Sequence, residues 1–517
     1  MAEVMSLSAF AAISMIAKSA QRLLGDAPDV LKHVNKHGDI YAYFPKLMTQ
    51  PNEPVIQLFM LPFGRPWVIV SDPREASDIM IRRTKEFDRS SFIGQLFNVL
   101  LPKNQAALPT GDEWLAHRRL TGDVMTPSFL NWVAGPQMWS TASKLVDLWR
   151  EKARLAKARP FRGEVDVHNN LLHIIWRGTF GGEIGPNEAR LKNLASIQGL
   201  DVPTDIDRPV DLPEIEDPPA FKAIELLIKS MEIPTSSPFP TLAHWLAVTF
   251  RRDWANARKA KDALIRTKLK EASEELSQRQ TERDFASALE VVVAKEIKMA
   301  EKEGRSADLE SQAIQDELFG FLIGDSDTTT STMLWGLKFL TAHQQVQSKL
   351  RGFLRDSFPE GRMPKIEDIT NTSIPYLDAV INEILRARKI NPPNVRKALR
   401  DTQILGYHIP KGTDVFLISN GPGYIMDPLP IDEYKRSHTS KANRDKARLW
   451  GDDRAAFKSE RWLDENGNFD PDAGPMHAFG AGQRSCFGRR WALLELQVLI
   501  VCVVWSFELL PTPPSLS

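Results

Sequence analysis

Cysteine is scarce. Only Cys486 and Cys502 occur in 517 residues, too few for a disulfide framework, a four-thiolate zinc site or a self-contained iron–sulfur centre. They are not expected to pair: the text between them reads as helix, and at ~1.5 Å per residue the thiols stand far beyond disulfide reach. An excess of one charge is also missing. The 66 Lys and Arg balance 66 Asp and Glu, which removes the electrostatic case for a nucleic-acid partner or a polybasic membrane tether. The uncharged stretch at 4–17, VMSLSAFAAISMIA, is shorter than the roughly 20 residues of a spanning helix and is diluted by serines. Glu3 stands where a secretory signal would begin with a basic residue. No internal repeat and no flavin- or nicotinamide-binding segment is evident, and 29 glycines with 35 prolines exclude a collagen-like or low-complexity chain.

What is present is an ordinary soluble composition, 42% hydrophobic and 26% charged, in a chain long enough for a large core. Residues 1–22 read as a short apolar segment, an anchor remnant lying at an interface or packed, and 23–517 as a single domain. VIQLFMLPFGRPWVIV, from residue 55, predicts two strands turning at Pro62, Gly64 and Pro66, and SDPREASDIMIRR a capped helix. Helical periodicity dominates afterwards, notably at 256–302 and 309–356, so the fold class is mainly α with a small β region. Prolines and acids between 201 and 240 mark a long irregular excursion, followed by apolar HWLAVTF, which reads as a lid or membrane-facing element or as a helix on the core. EYKRSHTSKANRDKAR at 433–448 reads as a solvated insertion.

Chemistry concentrates at 479–488, FGAGQRSCFG. Glycines permit a tight backbone path, Arg484 supplies a cation, and Cys486 precedes a long apolar helix whose dipole and loop amides favour a thiolate. A dinucleotide fingerprint is excluded because Ser485 breaks the third glycine. Taken alone, a lone cysteine is usually a buried structural thiol. The string, however, matches at every specified position the haem-binding signature of the cytochrome P450 family, which this chain resembles, and the resemblance implies the cytochrome P450 fold.

Further motifs follow the same order as in that family. Trp114 and Arg118 in TGDEWLAHRRL share a helix face, with Thr110 and Glu113 expected to form a capping box; similar proteins use this pair to bind a haem propionate. GDSDTTTST at 324–332 places poor helix formers inside an apolar helix. It resembles the distal-helix motif, which implies proton delivery by Asp327 and Thr328; back-bonding of the hydroxyls to helix carbonyls is the bland alternative. Asp325 stands where relatives usually carry glycine, which leaves open whether its carboxylate points into the oxygen-binding site or away. Glu383 and Arg386 in YLDAVINEILRARK, with Arg461 in SERWL, resemble the structural network that positions the cysteine loop. Arg396 sits where similar chains place another propionate-binding cation. NPPNVRKALRDTQILGYHIPKGTDVFLISN reads as short strands with turns at Gly406 and Pro410–Gly412.

The resemblance implies haem b (iron protoporphyrin IX) with Cys486 as axial thiolate and metal ligand, bound also by Trp114, Arg118, Arg396, Phe479 and Arg484. It implies a monooxygenase inserting one atom of dioxygen into a hydrophobic organic substrate, with electrons from a separate NADPH-dependent reductase, peripheral membrane contact and a place on the cytosolic face of the endoplasmic reticulum membrane. NGPGY and the polar insertion are similar to filamentous-fungal members that tailor secondary metabolites. Two alternatives stay open: a haem-thiolate isomerase or dehydratase, and a non-catalytic haem-binding homologue. A third, Cys486 as a nucleophile with His477 as base, needs a thiolate accessible to substrate.

Overall fold

Alternating apolar residues in VIQL and WVIV form β1 (Val55–Leu58) and β2 (Trp67–Val70), an antiparallel pair with Val55 opposite Val70. The computed structural model describes residues 22, 24–60, 64–237, 239–278, 285–359, 361–390 and 393–513, so the 4–17 stretch and the Pro62 turn lie outside it. Next come β3 (Phe87–Arg89), β4 (Pro393–Ala398), β5 (Thr402–Ile404), β6 (Tyr407–Ile409) and β7 (Asp414–Ile418). Five strands make one mixed sheet in the order β1-β2-β7-β4-β3, with β2 parallel to β7; β5 and β6 form a separate hairpin. Its turn residue Gly406 has φ 84°, and Gly412 before β7 has φ 85°, conformations that disfavour a Cβ. All these strands belong to one compact unit, made of the described parts of Met1–Gln95 and Leu385–Phe487. Its core packs Val68, Val70, Ile79, Met80, Val415 and Leu417 between the sheet and the Pro73–Ile81 helix. That helix is capped as expected, with Asp72 accepting from the Glu75 amide and Pro73 in the first turn.

The second unit, within Leu96–Ile384 and Gly488–Ser517, is helical, and the mainly α reading with a small β region holds. The 31-residue Gln312–Ala342 helix packs on Glu164–Phe180 and on Arg489–Ser506, and the last of these also packs on Gly135–Ala156. RWALLELQVLIVCVVW is apolar all round because it is buried all round. Gly178 lets the Glu164–Phe180 helix close on it, since a Cβ there would lie 2.1 Å from the Trp491 ring. One expectation needs correction. The 201–240 excursion is irregular only to Pro218; Pro219–Lys229 is a helix burying Phe221, Ile224, Leu227 and Ile228, a stripe at helical spacing started by Pro219. The 433–448 insertion is solvated over most of its length, as read, but it is also anchored, for Arg436 is buried against Asp72 at 2.6 Å and Ser437 and Thr439 donate to Asp78.

Candidate functional site

Cys486 sits in a loop closed by backbone hydrogen bonds: its amide donates to Phe479 O at 2.8 Å, Gly480 N to His477 O, and Ser485 N to Gly482 O. Gly480 and Gly482 have φ 65° and 70°, and a Cβ on Gly482 would lie 2.2 Å from Met80 O. The loop therefore wraps the end of the Pro73–Ile81 helix only because glycine stands there. Cys486 is exposed and unoxidised, three residues before the Arg489–Ser506 helix. Cys502 is buried, unpaired with Cys486, and its thiol is pushed up to about 12 by burial.

Three guanidinium groups converge beside Cys486. The antiparallel register sets Arg89 on β3 directly opposite Arg396 on β4, a like-charge pair that destabilises a sheet unless an anion answers it. Burial, then Arg484 and Arg396, push Arg89 down to about 9, while Asp88 and Cys486 hold it up; burial pushes Arg396 to about 10. An arginine stays charged, so these shifts mark a dry site rich in cations. Arg396 donates from Nη1 to Val395 O, and its buried Nη2 meets no acceptor among the described residues. The residues present thus fit a group that accepts a thiolate on one side and offers carboxylates to several guanidinium forks. Arg89 is absent from the sequence-based set: FDR carries no motif, and only the strand register reveals it.

Arg386 and Arg461 meet at one acceptor. Arg386 donates to Arg454 O at 2.6 Å and Ala456 O at 2.8 Å, Arg461 to Asp453 O, Asp453 Oδ1 and Ala456 O, and both guanidinium groups lie 5.5 Å from the Trp450 ring centre. Glu383, fully buried, stands three residues before Arg386 on the Pro375–Ala387 helix. The nucleophile–base alternative fails, because His477 shares hydrogen bonds with Tyr424 Oη at 2.6 Å and Ser77 Oγ at 2.8 Å and burial pushes it down to about 3.

In the helical unit, Trp114 is buried and Arg118 lies 5.6 Å from its ring centre. The Asp112–Thr121 helix starts after Gly111, one residue later than a start at Thr110, and Glu113 pairs with Lys103. Sequence reading also passes over a buried clamp. Glu317 accepts from Gln105 N at 2.6 Å and Gln105 Nε2 at 2.7 Å and meets His117 Nδ1 at 2.8 Å, while Arg118 reaches Gln105 Oε1 at 3.4 Å. Midway along the Gln312–Ala342 helix, Gly324, Asp327 and Thr328 form an exposed stripe in an otherwise largely buried stretch. Thr328 Oγ1 donates to Gly324 O at 2.9 Å, so its hydroxyl is back-bonded to the helix. Crowding pushes the Asp327 carboxyl up, and His168 pulls it back.

A comparison with protein families matches the family described as Cytochrome P450 over residues 30–424 and 443–515. The chain belongs to the cytochrome P450 family. Its cofactor is accordingly haem with Cys486 as the thiolate ligand, and it is a haem-dependent monooxygenase. Among relatives, it is 37% identical to the cytochrome P450 monooxygenase GME11363 of Pestalotiopsis microspora, over 96% of this chain and 89% of that protein. It is 36% identical to the cytochrome P450 monooxygenase TRI13 of Fusarium sporotrichioides, over 96% and 90%. The crystal structure of the cytochrome P450DA heme domain superposes with a TM-score of 0.66 at 19% identity, covering 91% of this chain and 88% of that one. The gap at 425–442 in the P450 match overlaps the anchored 433–448 segment.

Proposed function

We propose that residues 23–517 act as one monooxygenase domain on an apolar organic substrate, taking electrons from a separate NADPH-dependent reductase, in fungal secondary metabolism. The observation that carries this reading is the exposed Cys486 thiol beside the guanidinium groups of the buried Arg396 and of Arg89 and Arg484. The bound haem supplies dioxygen activation, one atom entering the substrate and the other leaving as water. Cys486 supplies the thiolate and the glycine loop sets its direction. Arg396, Arg484 and Arg89 would hold propionate carboxylates, as Trp114 and Arg118 would on their own unit; Phe479 anchors the loop through its carbonyl. Asp327, whose carboxyl is raised by its surroundings and lowered again by His168, relays protons, and the Thr328 hydroxyl passes them on from its seat on Gly324 O. Glu383, Arg386 and Arg461 hold the segment before the cysteine loop.

Arg396→Gln removes charge-assisted hydrogen bonds worth about 1.5–3 kcal/mol. Haem transfer to apomyoglobin is expected to speed up by about tenfold or more, at unchanged Cys486 ligation.

Reconstitution with a reductase and NADPH tests the reaction. Lipophilic compounds that change the spin state of the haem protein are incubated with labelled dioxygen. One labelled atom in the product supports the monooxygenase; rearrangement without NADPH supports the isomerase or dehydratase, and haem binding without oxygen consumption the non-catalytic homologue.

We place the protein at the cytosolic face of the endoplasmic reticulum membrane through peripheral contact. No helix among the described residues is long and apolar enough to cross a membrane. The Pro240–Phe250 helix buries His244 and Val248 but exposes Leu242, Trp245, Leu246 and Phe250, with Phe239 before it, an apolar face of the kind that enters a bilayer surface. Trp245→Glu with Phe250→Asp removes two side chains worth roughly 1.5–3 kcal/mol each when buried. Partition into phosphatidylcholine vesicles is expected to fall at least about tenfold; unchanged partition assigns membrane contact elsewhere.

A further inference from the structure

Asp325 and Glu495 are 170 residues apart in sequence and meet inside the helical unit. Asp325 lies on Gln312–Ala342, one residue after Gly324, and Glu495 is the single acidic residue of the apolar Arg489–Ser506 helix, fully buried. Asp325 Oδ1 accepts from Thr329 Oγ1 at 2.9 Å. Its Oδ2 and both Glu495 oxygens are shut off from water and receive no hydrogen from any N–H or hydroxyl of the described residues in full hydrogen-bond geometry. The two carboxyl groups face each other within reach of a shared hydrogen. Between two carboxyl groups the donated hydrogen is an acid proton. Among the described residues no lysine, arginine or histidine acts on either group; Thr329 and the indole of Trp491 do.

Two ionised carboxylates in contact and without a cation repel each other, and each is costly to bury. One proton shared between them removes the contact repulsion. We propose that Asp325 and Glu495 form a one-proton carboxyl pair, Glu495 donating, that turns the Asp325 side chain into the helix packing and fixes the backbone carrying Gly324 and Thr328. Burial and Asp325 raise the Glu495 carboxyl well above its ordinary range, while Asp325 is pushed to about 6, so Glu495 is the protonated partner and the two titrate as a unit. Asp325 is then a positioning residue. Thr328 Oγ1 also lies 3.3 Å from Asp325 O, so the backbone the pair holds is the one on which the Thr328 hydroxyl rests. The departure from glycine at 325 is thereby accommodated by Glu495.

Infrared difference spectroscopy of the haem-loaded full chain tests the pair without substrate or turnover. The comparison of wild type with Glu495→Gln is made at about pH 8.5, where Glu75, itself pushed to about 7, is mostly ionised. A protonated-acid carbonyl band present in wild type and lost in Glu495→Gln is expected; absence of the band, or its survival in the variant, overturns the pair. A second arm rests on the monooxygenase reading and measures product formed per NADPH consumed. Asp325→Ala strands Glu495 and is expected to lower this ratio about fivefold, at the low end for a coupled buried pair. Asp325→Asn, which keeps an acceptor for Glu495, is expected to restore it. A wild-type ratio in Asp325→Ala, or equal loss in Asp325→Asn, overturns the positioning role. If no substrate yields product, the infrared result still decides the pair.

Discussion

Cys486→Ala is expected to yield a folded chain without thiolate-ligated haem, and with NADPH-dependent oxygenation reduced to background. The thiol is exposed, and the hydrogen bond that closes its loop comes from the backbone amide to Phe479 O, which alanine retains. Substitution at such a position leaves stability within about 0.5 kcal/mol. The effect therefore falls on the cofactor and not on the fold. Circular dichroism melting of the apoprotein, expected to match wild type, separates this loss from unfolding. The same holds in reverse for Cys502, whose buried thiol sits in the Arg489–Ser506 packing: Cys502→Ala is expected to leave the thiolate signature intact.

Arg386→Leu is expected to do the opposite, losing haem because the fold around the cysteine loop fails. The side chain is 1% exposed and donates to the Arg454 and Ala456 carbonyls. Ala456 O keeps Arg461 as a donor, whereas Arg454 O loses the hydrogen bond from the Arg386 side chain, a loss of about 1–3 kcal/mol for a buried acceptor left dry. The buried Glu383, three residues back on the same helix, loses the cation spaced to share its face, and stranding a buried charge costs roughly 3–5 kcal/mol. Together these approach the whole stability of a typical domain. Soluble yield and haem content are expected to fall at least about tenfold. Arg386→Lys, which restores the charge but not two diverging N–H groups, is expected to recover only part of the loss.

How much could be read from the sequence depends on the range over which the physics acts. The cysteine loop was legible because glycine freedom, a cation and a helix start are all written within ten residues. The β1–β2 pair and the Pro73 helix were legible for the same reason: side-chain alternation, and an Asp-Pro cap, are local signals. The Pro219–Lys229 helix was hidden by the proline and acid content around it, although FKAIELLI carries the stripe that it buries. Arg436 looked solvated because its partner Asp72 lies 364 positions away. Arg89 and Glu495 were missed for that reason too. One acquires meaning only when strand register sets it opposite Arg396, the other only when two helices bring it to Asp325. Asp325 itself was conspicuous as a departure from the family pattern, but which way its carboxyl turns is a matter of packing.

The direct test of the central claim is the absorption spectrum of the purified, reduced protein under carbon monoxide. Thiolate ligation by Cys486 gives the strongly red-shifted Soret band that marks a sulfur donor opposite the bound gas. A band at the position typical of nitrogen-ligated haem, or a protein that binds no haem when its Cys486 loop is intact, would contradict it.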